Sequence, residues 1–558
     1  MYSDKKSVLQ LAALLRAHGI RRIVIAPGSR NIPLTQTFTS CTDFDCYAVT
    51  DERSAGFFAL GLALENGQPA AVCCTSGSAL LNLHPAVSEA YYQQVPLLVL
   101  SADRPAAWIG QMDGQTLPQP DVFGSLVRRS VNLPEVQSQE EAWHCNRLIN
   151  EALLALDHRV KGPVHINIPI SEPFFDFSVT ELPTERVIRR YTGMEDPNLR
   201  DRLAATLAAC PRRMLIGGQS APEADFVLPE ACAEGFVGVT ENLCNGSLKT
   251  FATPHADALL YAATAEEREV LAPQLVITYG GHIVSKRLKQ WIRRLPEVIH
   301  WHISPDGDTP DVFCRLTAVF EMEPAEFFRQ LVPLLPPPGV TGSAYVEEWR
   351  RRSLTHPLPA FGYSEMGTVT GLLERLARNT EGHVTVHLAN SSTVRYAQLF
   401  PVGQRITVRC NRGVNGIEGS LSTAIGYAAA SEDLNYILIG DLSFFYDMNA
   451  LWNRHIRPNV RILLLNNGGG EIFQSLPGLS LSTQAHNLVT ASHRTTARGW
   501  AEERGFAYQP VRNAHELDRA WADFTAPESD CPRLLEVFTD REEDIRQLKA
   551  YYHSLRRD

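Results

Sequence analysis

Residues 56–105 and 419–470 spell the same series of elements. The first stretch runs from the small-residue helix GFFALGLALENG through the strand AAVCCTSGS and the helical ALLNLHPAVSEAY to the strand PLLVLSADRP. The second runs from SLSTAIGYAAASED through YILIGDLS and FFYDMNALWNRH to VRILLLNNGGG. Few identities are shared; what repeats is the order and spacing of apolar strands and helical periods. Short, continuously apolar strands separated by helix-length segments form parallel sheets buried on both faces. The repeat therefore predicts one α/β domain used twice, with Thr75-Ser76-Gly77 standing where Gly440-Asp441-Leu442 stands. RRIVIAP near 21, QLVITYGG near 274 and HVTVHLANSS near 383 extend the alternation along the chain.

At 558 residues the chain exceeds what a single core sustains. A third α/β segment between the two copies opens with RRMLIGGQSAPE, whose Gly-Gly lacks the fuller G-x-G-x-x-G of a nucleotide site and reads as domain core. The proline-rich LVPLLPPPGVTG, 331–342, reads as a linker, and a softer boundary falls near FDFSVTELPTER. The expectation is an α/β protein of three doubly wound parallel-sheet domains, 1–182, 183–345 and 346–558.

A net charge of −10 without a basic stripe speaks against a nucleic-acid partner, so any anionic ligand must be met by local cations. Eleven scattered cysteines with no CxxC pair fit reduced thiols rather than disulfides or a zinc site. SDKKSVLQLAALLRAHGI reads as a helix stopped at Gly19, not as a signal peptide, and no apolar run is long enough to span a bilayer. A soluble, cytoplasmic protein is expected.

The stretch LLLNNGGGEIF, 463–473, ends a strong strand in two asparagines and three glycines, a composition costly in backbone entropy. Asp441 ends one strand and Asn467 the next, one helix and one strand later. In a right-handed β-α-β unit both side chains emerge side by side at the carboxyl edge of the sheet. A carboxylate, a carboxamide oxygen and a glycine carbonyl are hard ligands suited to Mg²⁺ carrying a diphosphate. This spacing resembles the thiamine-diphosphate motif, with Leu442 where a glycine is usual. Enzymes of that superfamily also need a carboxyl group against N1′ of the cofactor's aminopyrimidine. VTDERSAGFFALG places Glu52 after a strand and before a small-residue helix, where the superfamily keeps that glutamate. A lone Asp-Glu-Arg triplet would read as a solvated turn; together with the metal motif and the duplication it reads as the catalytic acid.

Within the superfamily the chain resembles the MenD family of 2-succinyl-5-enolpyruvyl-6-hydroxy-3-cyclohexene-1-carboxylate synthases. The segments that carry the resemblance include IAPGSRNIPLT (25–35), DERSAG (51–56), TSGSALLNLHPA (75–86), GQTLPQPDVFG (114–124), SKRLKQW (285–291), CNRGVNGIEG (410–419), GDLSFFYDMNAL (440–451) and NNGGGEIF (466–473). SRNIP stands for the commoner SRSTP, DERSAG for DERGLG, and ANS (389–391) for GNS.

The resemblance implies a thiamine-diphosphate-binding fold, with Mg²⁺ or Mn²⁺, that decarboxylates 2-oxoglutarate and adds the resulting carbanion to isochorismate in menaquinone biosynthesis. It implies Asp441, Asn467 and Gly469 on the metal, and Glu52, Ser391, Asp441, Leu442, Ser443, Asn467 and Ile472 on the cofactor. Ser29, Arg30, Gln115, Lys286, Arg287, Arg395 and Arg412 would meet substrate, with Ile472, Phe473 and Leu476 as an apolar wall. Two dicarboxylate substrates agree with the arginines in these loops, since the planar guanidinium fork suits carboxylates. His84, His165 and His282 read as structural. The family also implies a dimer or tetramer with the active site between subunits. The rivals are an acetohydroxyacid-synthase-like carboligase or decarboxylase, which handles monocarboxylates, and a non-catalytic cofactor-binding subunit.

Overall fold

The computed structural model describes residues 1–222, 227–246, 248, 252–253, 256–337, 340–354, 360–379, 382–400, 402–403, 405–470 and 482–556. Three six-stranded sheets flanked by helices carry the chain. The first contains β1 (Arg22–Ile25), β2 (Asp45–Ala48), β3 (Ala70–Cys74), β4 (Leu97–Asp103), β5 (Arg129–Asn132) and β6 (Val164–Pro169), in the order β2-β1-β3-β4-β6-β5. Four strands of the middle sheet are β7 (Arg213–Gly217), β8 (Val237–Thr240), β9 (Leu275–Tyr279) and β10 (Ile299–Ile303), in the order β10-β9-β7-β8. The last sheet contains β11 (Val384–Leu388), β12 (Ile406–Cys410), β13 (Leu434–Gly440), β14 (Val460–Asn466), β15 (Ala507–Val511) and β16 (Arg533–Phe538), in the order β12-β11-β13-β14-β16-β15.

The first and last sheets share one strand permutation and all their pairings are parallel, so the duplication expected from the sequence is present as topology. In each, the first strand lies between the second and the third. The chain leaves it toward both edges, which opens a crevice at the carboxyl ends of those strands, the usual ligand site of open α/β sheets.

Both faces of these sheets are buried. In the first, Ile23, Ile25, Ala71, Cys73, Leu98 and Leu100 fill one face, while Val24, Val72, Cys74, Leu97 and Val99 fill the other. In the last, Val386, Leu388, Leu438, Leu463 and Leu465 oppose Ile437, Ile439, Ile462 and Leu464. Continuous apolar strands are thus the signature of helices on both sides, at about 1.5–3 kcal/mol for each fully buried aliphatic side chain.

By packing, the chain divides into two compact units, Met1–Tyr191 with Thr309–Val319, and Thr192–Asp308 with Phe320–Asp558. Among the described residues no helix is long and apolar enough to cross a membrane.

Two helical segments differ from their sequence reading: FFYDMNALWNRH holds only the end of the helix Asp441–Tyr446 and a separate 3₁₀ turn, Met448–Leu451. ALLNLHPAVSEAY forms two helices, Ser78–Leu81 and His84–Tyr92, rather than one. Pro85 explains the break, since proline fits the first turn of a helix but not its interior. The helix Glu52–Asn66 packs closely on the second of these: a Cβ on Gly56 would lie 2.8 Å from Ala86 Cβ.

Candidate active site

In the first unit, the loops leaving β1 and β3 meet at the crevice between those strands. A Cβ on Gly28 would lie 2.3 Å from Thr75 Cβ, so glycine is required for the loop carrying Ser29 and Arg30 to pass the turn Thr75-Ser76-Gly77. Ser29 is exposed, whereas Arg30 is 5% exposed. The Arg30 guanidinium donates to Ile170 O at 3.0 Å and to Glu172 Oε1 at 3.2 Å, and stacks over Phe174 at 4.8 Å. Arg30 therefore reaches the crevice already paired. Glu52 begins the helix Glu52–Asn66; Asp51 caps that helix by accepting from Ser54 N–H, and Asn82 Nδ2 donates to Glu52 Oε2 at 3.3 Å. Gln115 is exposed, with φ at 58°, and its backbone packs on Gly77.

In the last sheet, β13 ends at Gly440 opposite Leu465 of β14, which puts Asp441 and Asn467 at neighbouring strand ends. Asp441 is 4% exposed. Its Oδ2 accepts from Gly468 N at 2.8 Å and Gly469 N at 3.0 Å, and its Oδ1 from Leu442 N at 2.6 Å. Asn467 Oδ1 accepts from the same Gly469 N–H at 3.2 Å, so carboxylate and carboxamide oxygens converge on one amide. Asn467 Nδ2 donates to the buried Glu365 at 3.0 Å, which fixes the carboxamide with its oxygen on the Asp441 side. Ser443, on the first turn of the helix Asp441–Tyr446, donates to Ile417 O.

The glycines have a steric reason. Gly469 sits at φ 147°, and a Cβ there would lie 2.6 Å from Thr490 O. His493 Nδ1 accepts from Thr495 N–H at 3.1 Å, which leaves the proton of the neutral ring on Nε2, 3.2 Å from Asp441 Oδ2. Among the described residues no group of three His, Cys, Asp or Glu is placed to hold a metal.

The same unit gathers cations. Ser391 occupies a left-handed position, φ 74°, between β11 and the helix Ser392–Ala397 that carries Arg395. Asn390 is 3% exposed; its Nδ2 donates to Asn411 O and Gly416 O, both at 2.7 Å, and its Oδ1 accepts from Arg412 at 2.8 Å. Among the described residues neither Arg395 nor Arg412 forms an ion pair; partial desolvation and then the charge of Arg412 lower the Arg395 pKa.

Asn242 Nδ2 donates to Ala397 O at 2.6 Å and Asn245 Nδ2 to Val408 O at 2.9 Å, joining the middle-sheet loops to this corner. The start of the helix Lys286–Arg294 belongs to it as well, for the Lys289 pKa is lowered first by desolvation and also by the charges of Arg412 and Lys286. Two cations at a helix N-terminus oppose the helix dipole, an arrangement that an anion relieves. Arg287, by contrast, is ion-paired with Asp257 and stacks over Tyr261 at 4.8 Å and Tyr552 at 5.2 Å. Half-buried Glu241 accepts from Val284 N and Ser285 N, both at 2.6 Å, and its pKa is raised by desolvation.

The structure thus brings Ser29, Arg30 and Gln115 to one sheet edge in the first unit. It brings Lys286, Ser391, Arg395 and Arg412 to one corner of the second, where Asp441, Leu442, Ser443, Asn467 and Gly469 form the loop edge. Ile472, Phe473 and Leu476 lie outside the described residues. Sequence reasoning passed over Asn82, Asn390 and His493. Asn82 and Asn390 sit inside quoted motifs, and the signal available was a polar residue beside small ones; nothing local marks His493.

Residues 7–124 match the model of the thiamine pyrophosphate enzyme N-terminal TPP binding domain, and residues 233–355 that of the middle domain of thiamine pyrophosphate enzymes. A 2-succinyl-5-enolpyruvyl-6-hydroxy-3-cyclohexene-1-carboxylate synthase of Bacteroides thetaiotaomicron is 55% identical, with 100% of each chain covered. Proteins of the same name from Flavobacterium johnsoniae and Porphyromonas gingivalis are 38% and 36% identical, over 99% of this chain and 98% and 97% of theirs.

Proposed function

The chain belongs to the 2-succinyl-5-enolpyruvyl-6-hydroxy-3-cyclohexene-1-carboxylate synthase family, and on that premise we propose that it decarboxylates 2-oxoglutarate and joins the remaining four-carbon unit to isochorismate, as a thiamine-diphosphate-dependent transferase of menaquinone biosynthesis. The observation that carries the substrate class is the corner of Lys286, Arg395 and Arg412, cations gathered at the carboxyl edge of the last sheet with Arg395 and Arg412 lacking a carboxylate partner among the described residues. Two dicarboxylates supply the missing negative charge; a monocarboxylate would leave part of it unmet.

The residues present fit the cofactor. Asp441 and Asn467 offer oxygens converging on one point of the glycine loop, and Gly469 adds its carbonyl, a hard donor set for Mg²⁺ or Mn²⁺. These three would hold the metal, and Leu442, Ser443 and Ser391 would line the cofactor beside it. When bound, thiamine diphosphate supplies the carbon nucleophile for the 2-oxo group and stores the electron pair released with CO₂. Glu52 would hold a proton at the pyrimidine N1′, with Asn82, which donates to its carboxylate, orienting it.

Lys286, Arg395 and Arg412 bind and orient substrate carboxylates, and Ser29 and Gln115 are proposed as further substrate contacts at the edge of the first sheet. Arg30 and Arg287 enter already paired with Glu172 and Asp257. A guanidinium has five donors, so each can share itself with a substrate carboxylate without giving up its partner. Ile472, Phe473 and Leu476, which lie outside the described residues, are carried from the family resemblance as apolar contacts of the reacting centre.

The helix that begins with Glu52 exposes Phe57, Phe58 and Leu64 at 41, 45 and 51%. Apolar side chains of this size on one helix fit a second copy of the chain, and we assign the protein as a dimer or tetramer with the site shared between subunits. Among the described residues no cysteine forms a disulfide, in keeping with a cytoplasmic location.

The test is CO₂ release by protein loaded with Mg²⁺ and thiamine diphosphate. Consumption of 2-oxoglutarate in the presence of isochorismate should far exceed that of pyruvate. A preference for pyruvate, or carboligation of two pyruvates, overturns the assignment.

A further inference from the structure

Gln115 is exposed and holds a left-handed backbone, a conformation that favours glycine or asparagine and persists in glutamine only when neighbours enforce it. Its loop lies directly on the turn after β3. A Cβ on Gly77 would be 3.1 Å from Gln115 Cα and 3.2 Å from its carbonyl atoms, so the approach is backbone against backbone. The near end of the loop is held by Arg104, whose Nε donates to Gly114 O at 2.9 Å and pairs with Asp113 at 3.1 Å.

The far end is held by Gln119, a side chain with no exposure at all. Gln119 Oε1 accepts from Gly77 N–H at 2.8 Å. Its Nε2 donates to Ala102 O at 3.1 Å and to Asn167 Oδ1 at 2.8 Å. One carboxamide thus ties the turn after β3, the end of β4 and the end of β6 to the loop that carries Gln115. Asn167 has three further partners: its Oδ1 accepts from Ser101 Oγ at 2.7 Å, and its Nδ2 donates to Asp103 and Asn132, each at 2.8 Å. His165 supports Ser101 from below at 2.8 Å. No hydrogen-bonding group of Gln119 faces the crevice unoccupied, so it acts on a ligand only through what it holds.

We infer that Gln119 is a positioning residue that sets the place of Gln115 at the substrate-facing edge by clamping the 113–119 loop to Gly77 and to the buried Asn167 network. This rests on the reading of Gln115 as a substrate contact. Loss of the clamp frees a loop whose closest packing is on a glycine, and Gln115 then leaves its strained backbone for commoner conformations.

The experiment is a double-mutant cycle of Gln119→Met, which keeps length and volume without hydrogen bonds, and Gln115→Ala, reading kcat, KM for 2-oxoglutarate and thiamine-diphosphate affinity. The two single variants should raise KM by a similar factor, about tenfold, with cofactor affinity unchanged, and the double variant should be no worse than the poorer single one. Gly77→Ala, which pushes the same loop from the other side, should behave likewise and serves if Gln119→Met fails to fold. Multiplying effects in the double variant, or a Gln119→Met enzyme with wild-type KM while Gln115→Ala is impaired, overturns the proposal. A wild-type KM in Gln115→Ala removes Gln115 from the substrate site and the proposal with it, an outcome separable from the first two.

Discussion

Asp441→Asn changes one atom of the side chain and leaves its volume almost untouched, so its effect can be worked from the hydrogen bonds. Both carboxylate oxygens are acceptors: Oδ2 from Gly468 N and Gly469 N, Oδ1 from Leu442 N. A carboxamide has one oxygen. Turned toward the glycines, it sets its NH₂ against the Leu442 N–H; turned the other way, it sets it against two glycine N–H groups with His493 Nε2 beside them. The better orientation still leaves one buried donor facing another, at about 1–3 kcal/mol. That cost falls on the loop that presents Asn467 and Gly469, and the lost charge would fall on the proposed metal. At about 1.4 kcal/mol per decade, the loop term alone predicts a roughly 5- to 150-fold weaker Mg²⁺-dependent affinity for thiamine diphosphate. Calorimetric titration of cofactor at fixed Mg²⁺ measures it, and thermal unfolding of the cofactor-free variant checks that the fold is kept. A dissociation constant within twofold of wild type would refute both the metal assignment and the hydrogen-bond reasoning.

Arg395→Met and Arg412→Met should raise KM for dicarboxylate substrate by roughly 2–5 kcal/mol in equivalent terms. For Arg395→Met the cofactor-free protein should melt no lower than wild type, because the change removes a cation that desolvation and the charge of Arg412 disfavour and that has no carboxylate partner among the described residues; a clear drop in Tm would mean it is structural. Burial holds His165 neutral, with its pKa pushed down to about 3, and His302 and His387 down to about 4. Each lowered folded pKa gives stability that is present above the unfolded value near 6.5 and lost as pH falls toward the folded value, about 2 kcal/mol per histidine by pH 5. Urea unfolding between pH 7 and 5 should show this loss, and His165→Gln should flatten it; a pH-independent midpoint would contradict the burial argument. Glu52→Gln should abolish turnover while cofactor still binds, and mixing it with Asp441→Ala should restore part of the activity through hybrid dimers. No recovery under verified subunit exchange would count against a shared site.

What the amino-acid order determined is local or periodic. The apolar strands, the small-residue helices and the repeated series at 56–105 and 419–470 appear in the structure as two sheets with one strand permutation. Asp441 and Asn467 were legible because a strand end followed by one helix and one strand leaves them little freedom. Spacing could not tell a helix break from a continuous helix at 82–84, where Pro85 acts on a helix already begun.

Tertiary structure alone decided which charges are spent and which are kept. Arg30 and Glu172 are 142 residues apart, and Arg287 meets Asp257 across 30, so no motif reveals that these two arginines are already ion-paired while Arg395 and Arg412 have no carboxylate partner among the described residues. The glycines of NNGGG belong to the same class. Their count was plain in the sequence, but the reason for Gly469 is the Thr490 carbonyl, brought against it by a segment that follows much later in the chain. Side-chain pairing and close backbone approach depend on atoms that meet only when separate loops fold onto one sheet edge. Periodicity sets where each loop begins, and packing sets what it touches.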